Sequence, residues 1–272
     1  MAEPGSQHEP TRVDVAELFN TGFAGWSKSP TLRHVWRKVY GGDYPEEVDP
    51  FSFVTVTDLR RIAQELRVGP GQTFADLACG RGGPGLWVAR ESGAALVGVD
   101  FSRVAVEHAT QRIGAFGLSG RAWFQVGDFT ATNLPATALD GAMSVDALWL
   151  VPDKAAAIRE VARLLRSGAH FVFTTWDVDL LPPGWPPQLS DHRPTLREAG
   201  FTVESYGETP EWEPRQRAAY EGLRGVEAKV IAEMGEAAGR PLIAEANLLP
   251  GLVDGTDYLA RQRRILAVAR KA

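Results

Sequence analysis

The pattern of hydrophobic positions divides the chain into a helical first part and a longer second part in which strands and helices alternate. Over residues 13–66 apolar residues recur at helical spacing, and one stripe begins at Leu32 and continues at i+3, i+4 and i+7. A later helix of this part ends near Leu66 and could begin at Thr57 or Asp58, whose side chains can cap a helix N-terminus. The first part is therefore predicted to consist of amphipathic helices.

From Thr73 onward, short apolar runs alternate with helical stretches, which is typical of a parallel sheet covered by helices on both faces. Right-handed crossovers between such strands give a doubly wound α/β fold that binds its ligand at the carboxyl edge of the sheet. We predict a mostly parallel seven-stranded sheet of this Rossmann-like type. The predicted strands lie near residues 73–78, 95–99, 122–126, 141–147, 169–175, 201–207 and 264–269, and the predicted helices near 84–92, 102–115, 153–166 (closed by Ser167-Gly168), 194–199 and 214–238.

Two regions outside this alternation define the predicted domain organisation. We expect residues 1–68 to form a helical cap segment and residues 69–272 to form the α/β domain, with a helical insert at about 208–260. Both additions could cover the carboxyl edge of the sheet, where they would contribute to a ligand site.

Composition and charge exclude several classes of protein. Hydrophobic residues make up 44% of the chain, and 29 basic against 34 acidic residues give a net charge of −5, which disfavours a dedicated nucleic-acid-binding protein. The basic run Arg261, Arg263 and Arg264 flanks the last predicted strand and is interpreted as a solvated edge. Cys79 is the single cysteine, so a disulfide framework and a cysteine-cluster metal site are excluded, and no histidines have metal-ligand spacing.

Neither a signal sequence nor a membrane-spanning segment is predicted. The first ten residues lack a basic-then-apolar pattern, and no apolar run approaches the roughly 20 residues that span a bilayer. We expect a soluble cytoplasmic protein with a small-molecule substrate, no nucleic-acid partner and no membrane partner; the oligomeric state is left open.

A glycine-rich segment directly after the first predicted strand carries the clearest signal for a ligand. Gly80, Gly82 and Gly85 satisfy the pattern G-x-G-x-x-G, which lets the backbone turn tightly and approach a ligand. Asp100 ends the next strand, 20 residues after Gly80, at the spacing of a carboxylate that binds a ribose diol. The pattern alone is weak, but Asp76 precedes the loop by four residues and would repel a pyrophosphate. This charge favours a ligand with a positive centre over a dinucleotide.

Five ordered segments give the chain a family resemblance. The segment Asp76-Leu-Ala-Cys-Gly-Arg-Gly-Gly-Pro-Gly85 resembles the first motif of the class I S-adenosylmethionine-dependent methyltransferases. Four further motifs are similar to segments of that family in the right order, and the variable ends resemble its small-molecule, secondary-metabolite branch. The resemblance covers about residues 65–205, and one departure is Ser167-Gly168-Ala169, where the family often has Pro-Gly-Gly. The four further motifs are Val99-Asp-Phe-Ser102, Val126-Gly-Asp-Phe129, Leu139 to Asp146 and Leu164 to Thr174.

This resemblance implies S-adenosylmethionine as the cofactor and a role for each matching position. Two alternatives stay open, since Asp76 could instead cap the following turn and Asp128 could be an ordinary loop residue. The implied contacts are those of Ala78, Gly80 and Gly82 with the methionine part, Asp76 with its ammonium, Asp100 with the ribose hydroxyls, Phe101 and Phe129 with adenine, Asp128 with the adenine amino group, and Ser144 with the other side of the ligand.

Tryptophans and titratable groups near the predicted strand ends are candidates for the acceptor site. Trp149, Trp176 and Trp185 would line an apolar, aromatic pocket, although core packing is the alternative for each. A proton acceptor is needed if the nucleophile is a hydroxyl or an amine. The candidates for it are His192, Asp177 and His34, together with Asp191.

Methyl transfer to an O, N or C nucleophile of a small, natural-product-like metabolite is the function that these observations favour. The alternative is a cyclase or isomerase on the same scaffold, in which the bound cofactor has a structural or electrostatic role. A methyltransferase acting on nucleic acid is disfavoured because phosphate contacts need clustered basic residues.

Overall fold

Strand and helix formation follow the predicted alternation closely. The computed structural model describes residues 15–49 and 52–272, and it describes side chains from residue 19 onward. The strands are β1 (Thr73–Leu77), β2 (Ala95–Asp100), β3 (Ala122–Val126), β4 (Leu139–Val145), β5 (Leu165–Val178), β6 (Phe201–Glu208) and β7 (Gln262–Lys271). The helices are α1 (Val15–Trp26), α2 (Pro30–Tyr40), α3 (Val56–Leu66), α4 (Gly83–Ser92), α5 (Arg103–Arg112), α6 (Lys154–Leu164), α7 (Arg193–Glu198), α8 (Trp212–Arg224), α9 (Glu227–Met234) and α10 (Glu236–Leu248).

The seven strands form one sheet in the order β3-β2-β1-β4-β5-β7-β6. All neighbours are parallel except β7, which runs antiparallel to β5 and β6. The strand order reverses between β1 and β4, so their carboxyl ends form the crevice in which doubly wound folds bind ligands. Asp76 on β1 is in register with Gly98 on β2 and Met143 on β4. The predicted doubly wound α/β fold is therefore confirmed.

Apolar side chains cover both faces of the sheet, because a parallel sheet at the centre of a domain is buried on each side. On one face Leu77 and Phe171 pack with Ile158 of α6. On the other face Phe74 and Leu86 pack with Ile62 of α3. The strands are therefore held by two separate layers, and the carboxyl edge between the layers stays available for polar groups.

The region 208–260 contains three helices where the sequence predicted a single stretch over 214–238. The helical run is interrupted at Gly225 and again at Gly235, whose φ of +86° is a conformation that favours glycine. Leu223 and Leu242 from these helices belong to the same apolar cluster as Val35 of α2, so the insert and the N-terminal helices share one core. The division into a cap over 1–68 and an α/β domain over 69–272 stays a prediction, and residues 1–14 lie outside the described part of the chain.

Two predicted helix ends were wrong. α6 ends at Leu164, and strand β5 already begins at Leu165, so Ser167-Gly168 lies within the strand and does not close the helix. Gly168 has a φ of +81° at a shift in the register between β4 and β5. The start of α3 also differs, because Thr55 is its N-cap and Asp58 completes a capping box three residues later.

Arg264 corrects the interpretation of the basic run as a solvated edge. Its side chain is only 1% exposed and lies between carboxylates from two other elements. Arg264 donates from Nε and Nη2 to Asp146 at 3.0 and 3.1 Å, and from Nη1 to Asp58 at 2.9 Å. The Asp146 carboxylate also accepts a hydrogen bond from the backbone N–H of Phe53 at 3.1 Å. One buried guanidinium thus joins β7, the end of β4, the start of α3 and the segment before it.

Replacing Arg264 with methionine tests this arrangement. The substitution leaves Asp58 and Asp146 buried without their counter-charge, and we expect a loss of about 3–5 kcal/mol in the free energy of unfolding. Arg270→Met on the same strand removes a partly exposed ion pair with Glu204 and is expected to cost about 1 kcal/mol or less. Urea denaturation measures both values, and an equal loss in the two variants would contradict the structural role of Arg264.

Candidate functional site

A sharp backbone bend connects β1 to α4 at the carboxyl edge of the sheet. Ala78, Gly80 and Gly82 have φ values of +55°, +51° and +73°, in the left-handed region that is costly for residues with a side chain. A Cβ on Gly82 would lie 2.7 Å from the Phe124 ring and 2.9 Å from the Cβ of Ala109. Glycine is therefore needed at position 82 for both its conformation and the space it leaves.

The carboxylate of Asp100 holds this bend against the end of β2. Its Oδ2 accepts a hydrogen bond from the Gly80 N–H and its Oδ1 accepts one from the Ser102 N–H, both at 2.8 Å. Burial raises the pKa of the Asp100 carboxyl, while these two hydrogen bonds lower it. Ser102, and not Asp100, caps α5 by accepting a hydrogen bond from the Ala105 N–H at 3.1 Å. Asp100 is thus positioned at the edge of the bend, as the spacing from the glycines predicts.

Asp76 and Ser144 are buried polar groups beside the bend. Asp76 is 1% exposed, and neither of its oxygens is paired at hydrogen-bond geometry with any described residue. The Ser144 hydroxyl on the neighbouring β4 is likewise buried and has no partner in the described chain. Burial raises the pKa of the Asp76 carboxyl to about 8, the Gly85 backbone opposes this rise, and the Asp100 carboxylate adds to it. Unpaired buried polar groups are rare in proteins and point to an absent ligand.

The residues predicted to contact adenine follow β2 and β3 at the same edge. Phe101 is exposed, and its ring lies 5.8 Å, edge to face, from Phe19 of α1. Phe129 is buried in the core. Asp128 is exposed, and its Oδ1 accepts hydrogen bonds from the N–H and the hydroxyl of Thr130 at 2.6 Å each, so it forms a local turn. The adenine contacts of these three residues stay predictions.

Helix α1 covers this edge of the sheet. A Cβ on Gly80 would lie 3.3 Å from the Phe23 ring, and the Ser102 hydroxyl donates to Asn20 at 2.6 Å. Phe19, Phe23 and Phe101 thus place aromatic surface over the bend. A ligand held here would be shielded from water on its outer side.

The three tryptophans predicted to form an acceptor pocket come together at the carboxyl ends of β4 and β5. Trp149 stacks on Trp185 with ring centroids 5.2 Å apart, and its ring lies 5.8 Å, edge to face, from Trp176. The Trp149 indole N–H donates to the carbonyl of Asp146 at 3.0 Å, which ties the cluster to the end of β4. These rings line a small cavity, referred to here as the aromatic cavity. Its other lining residues are Phe53, Val178, Leu181, Gln216, Glu245, Leu249 and Gln262.

The polar members of this lining were not predicted from the sequence. Gln216 lies on α8 and Glu245 on α10, and Tyr220 connects them through hydrogen bonds. Burial raises the pKa of the Glu245 carboxyl, and the hydrogen bond from Tyr220 lowers it. The i, i+4 spacing of Gln216 and Tyr220 was available in the sequence, but nothing there indicated that this face of α8 meets the end of β5.

The candidate proton acceptors occupy two other places. His192 and Asp177 form a buried pair, with His192 Nδ1 2.9 Å from Asp177 Oδ1. Asp177 also accepts hydrogen bonds from the Tyr206 hydroxyl and from Arg263. Neither His192 nor Asp177 lines the aromatic cavity, because Asp177 follows Trp176 along β5 and adjacent side chains of a strand point to opposite faces.

The two remaining candidates lie at the surface. His34 is exposed on α2 and is not part of the cavity lining. Asp191 accepts hydrogen bonds from Arg193 next to the surface. Among the residues that the structure describes, no three histidine, cysteine or acidic side chains are arranged to hold a metal ion, and no helix is long and apolar enough to cross a membrane.

Comparison with known proteins agrees with this geometry. Residues 75–173 match the family described as "Methyltransferase domain". Methyltransferase GfsG from Streptomyces halstedii is 32% identical over 128 residues, which are 46% of this chain and 45% of that protein. The 27-O-demethylrifamycin SV methyltransferase from Amycolatopsis mediterranei is 24% identical over 71% of this chain and 79% of its own length.

Solved structures share the fold at lower sequence identity. The [4+2]-cyclase SpnF superposes with a TM-score of 0.73 at 22% identity, over 96% of this chain and 97% of that one. A structure described as a sarcosine dimethylglycine methyltransferase from Galdieria sulphuraria gives 0.68 at 17% identity, over 89% and 97%. At these identities the likeness concerns the fold alone.

These findings confirm the family resemblance predicted from the five motifs. Residues 75–173 match a methyltransferase domain, and a solved structure of the same fold, a phosphoethanolamine N-methyltransferase from Haemonchus contortus, contains S-adenosylmethionine. The chain spans less than half the length of GfsG and about a third of the length of the sterol and squalene methyltransferases that it also matches.

The buried carboxyl of Asp76 predicts a specific dependence of stability on pH. Its pKa rises from 3.8 to about 8 on folding, so the unfolded chain releases this proton first as the pH increases. The stability that the protonated group contributes is complete below about pH 4 and is lost by about pH 8, with a slope of at most about 1.4 kcal/mol per pH unit. The Asp76→Asn variant has no carboxyl to titrate and does not lose this stability. The difference in free energy of unfolding, variant minus wild type, should therefore increase by about 2 kcal/mol or more from about pH 5 to pH 8.

Urea denaturation of the protein without cofactor at several pH values measures this difference. Asp179→Asn changes an exposed carboxyl and serves as the control, with a constant offset from the wild type expected. A constant offset for Asp76→Asn as well would show that Asp76 does not carry a proton in the folded chain at neutral pH.

Proposed function

We propose that this protein transfers the methyl group of S-adenosylmethionine to a small, apolar or aromatic metabolite. The observation that carries the proposal is the position of two features at one edge of the sheet. A glycine bend flanked by the unpaired carboxyl of Asp76 and by Asp100 lies beside a cavity lined by Trp149, Trp176 and Trp185. The first feature fits a cationic nucleoside, and the second fits an apolar acceptor.

The residues around the bend fit the cofactor of this class. Asp76 is a buried acid whose oxygens have no partner at hydrogen-bond geometry in the described part of the chain, and it would pair with the ammonium of the methionine part. Asp100 would accept hydrogen bonds from the ribose hydroxyls, and the backbone at Ala78, Gly80 and Gly82 leaves room for close approach. When bound, the cofactor supplies a methyl group that its sulfonium has already activated.

Orientation and exclusion of water are the main tasks left to the protein. The aromatic side chains of α1 cover the bend, and the aromatic cavity holds the acceptor next to the end of β4. Fixing the two reactants in the geometry of attack can supply a large part of the rate acceleration without any covalent role for the protein.

In this proposal the His192–Asp177 pair stabilises the structure next to the acceptor site. The pair ties the start of α7 to the end of β5, next to Trp176, and Arg263 adds a further hydrogen bond to Asp177. A role of His192, Asp177 or His34 in proton transfer stays a prediction from the sequence.

Relatives from Streptomyces and Amycolatopsis support an acceptor of the secondary-metabolite type, such as an antibiotic precursor.

The alternative function, a cyclase or isomerase that uses the same pocket, is supported only by the shared fold of the SpnF structure. An assay that quantifies S-adenosylhomocysteine together with product distinguishes the two. Methyl transfer gives one S-adenosylhomocysteine per product molecule, whereas a cyclase or isomerase gives product without it.

The binding of S-adenosylhomocysteine by the Asp100→Ala variant tests the cofactor site. Loss of charge-assisted hydrogen bonds to the ribose should weaken binding about 10- to 100-fold, as measured by isothermal titration calorimetry. Asp179→Ala, which removes an exposed carboxyl far from the glycines in sequence, should bind as the wild type does. Equal affinities of the wild type and Asp100→Ala, or no binding by the wild type, would refute the proposed function. Thermal denaturation checks that Asp100→Ala is folded.

A further inference from the structure

The wall of the aromatic cavity that is formed by α8 and α10 carries a chain of three polar side chains. The Gln216 amide donates to the Tyr220 hydroxyl at 2.9 Å, and that hydroxyl donates to Glu245 Oε1 at 2.6 Å. Gln216 and Glu245 both line the cavity, and Tyr220 lies behind them, fully buried. This chain orients the Glu245 carboxylate and leaves its Oε2 free, since no described residue donates to that atom.

Several polar atoms of the same cavity are buried and unpaired. Gln216 is 3% exposed and its Oε1 has no partner among the described residues, and the same holds for the indole N–H of Trp176, which is 5% exposed. The side-chain amide nitrogen of Gln262 is also buried without an acceptor. Half-buried Glu245 adds its Oε2 as a second acceptor, so the cavity presents two acceptors and two donors to which no described residue is paired. The three fully buried atoms among them are costly unless a ligand pairs with them.

This mixed set of groups selects among possible ligands. A cation would pair with Glu245 and the aromatic faces, but it would leave the donors Trp176 and Gln262 unpaired. The guanidinium of Arg264 also lies 5.8 Å from the centre of the Trp176 ring, and it disfavours a second positive charge at that ring. A molecule with a hydroxyl and a second oxygen function satisfies both kinds of group, because the hydroxyl donates and the other oxygen accepts.

We propose that the acceptor carries a hydroxyl on an apolar or aromatic skeleton and that Glu245 accepts the proton of that hydroxyl. This inference rests on the proposed function and specifies it as O-methylation. The O–H bond breaks, the proton goes to Glu245 Oε2, and the electron pair stays on the oxygen. That pair forms the new O–C bond to the methyl group while the C–S pair goes to sulfur, and the proton on Glu245 is later released to solvent. Gln216 and Tyr220 act as positioning residues for the carboxylate.

The environment of Glu245 suits this task. Its pKa is raised by burial, which makes the carboxylate a stronger base than an exposed glutamate, and the hydrogen bond from Tyr220 opposes this rise. Its place on α10 explains why sequence inspection of the strand ends did not reveal it.

A matched set of three probes tests the inference in the absence of cofactor. The probes are 4-nitrophenol, its methyl ether 4-nitroanisole and the cation 4-nitrobenzylamine. Each has the same ring and a nitro group that can accept from Trp176 or Gln262. Calorimetry gives the affinities, and the absorbance of bound 4-nitrophenol reports the loss of its proton, in a buffer where the free probe is protonated.

We expect the wild type to bind 4-nitrophenol at least about tenfold more tightly than 4-nitroanisole, because only the phenol can donate to Glu245. Bound 4-nitrophenol should also show a shift toward the phenolate spectrum. Glu245→Gln keeps the size of the side chain and should lose the shift and most of the preference. Tyr220→Phe should keep a weaker preference. Glu236→Gln, an exposed position on the same helix, should behave as the wild type.

Four results would overturn the inference: equal binding of the phenol and the ether, tightest binding of the amine, an unchanged preference in Glu245→Gln, and no binding of any probe. Tight binding of the amine would identify a cation site. Because no cofactor is present, a failure here with normal affinity for S-adenosylhomocysteine rejects Glu245 as the base and leaves the proposed function standing.

Discussion

The buried guanidinium of Arg264 is the interaction on which the arrangement of the site depends. A buried charge is tolerated only when its partners are fixed, and Arg264 has two carboxylate partners, Asp146 at the end of β4 and Asp58 at the start of α3. The same Asp146 accepts from the Phe53 backbone, and its carbonyl accepts from Trp149. The end of β4, the N-terminal helices and the aromatic cavity are therefore positioned by one set of contacts.

This arrangement places two chemically different surfaces side by side. Toward β1 and β2 the edge carries a bare backbone bend and the acids Asp76 and Asp100, which suit a charged nucleoside. Toward β5 the edge carries stacked indole rings and a few unpaired polar atoms, which suit an apolar molecule with oxygen functions. Methyl transfer requires such a pair of sites, since a charged donor and an apolar acceptor must meet in a space that excludes water.

The sheet and the glycine bend at its edge could be predicted from the sequence because their signals are local. Apolar runs of strand length, separated by helical stretches, are sufficient to place strands such as Thr73–Leu77 and Ala95–Asp100. The bend at Gly80 and Gly82 requires conformations that glycine adopts, and Asp100 follows at a fixed spacing along the chain. The three tryptophans were found because each follows a predicted strand end.

The rest of the site depends on contacts between distant parts of the chain. Arg264 and Asp58 are 206 residues apart, and nothing local distinguishes this arginine from its exposed neighbour Arg263. Glu245 and Gln216 reach the cavity only because the helices of the insert fold over the end of β5. One signal in the sequence was not used. Side chains alternate between the two faces of a strand, so Asp177 points away from the face of Trp176 and lies outside the cavity.

The most direct test of the account is the structure of the complex with S-adenosylhomocysteine. The account predicts the ribose hydroxyls at Asp100, the amino group at Asp76, and the sulfur facing the cavity lined by Trp149, Trp176 and Glu245. A nucleoside bound elsewhere, or one with its sulfur turned away from that cavity, would contradict it.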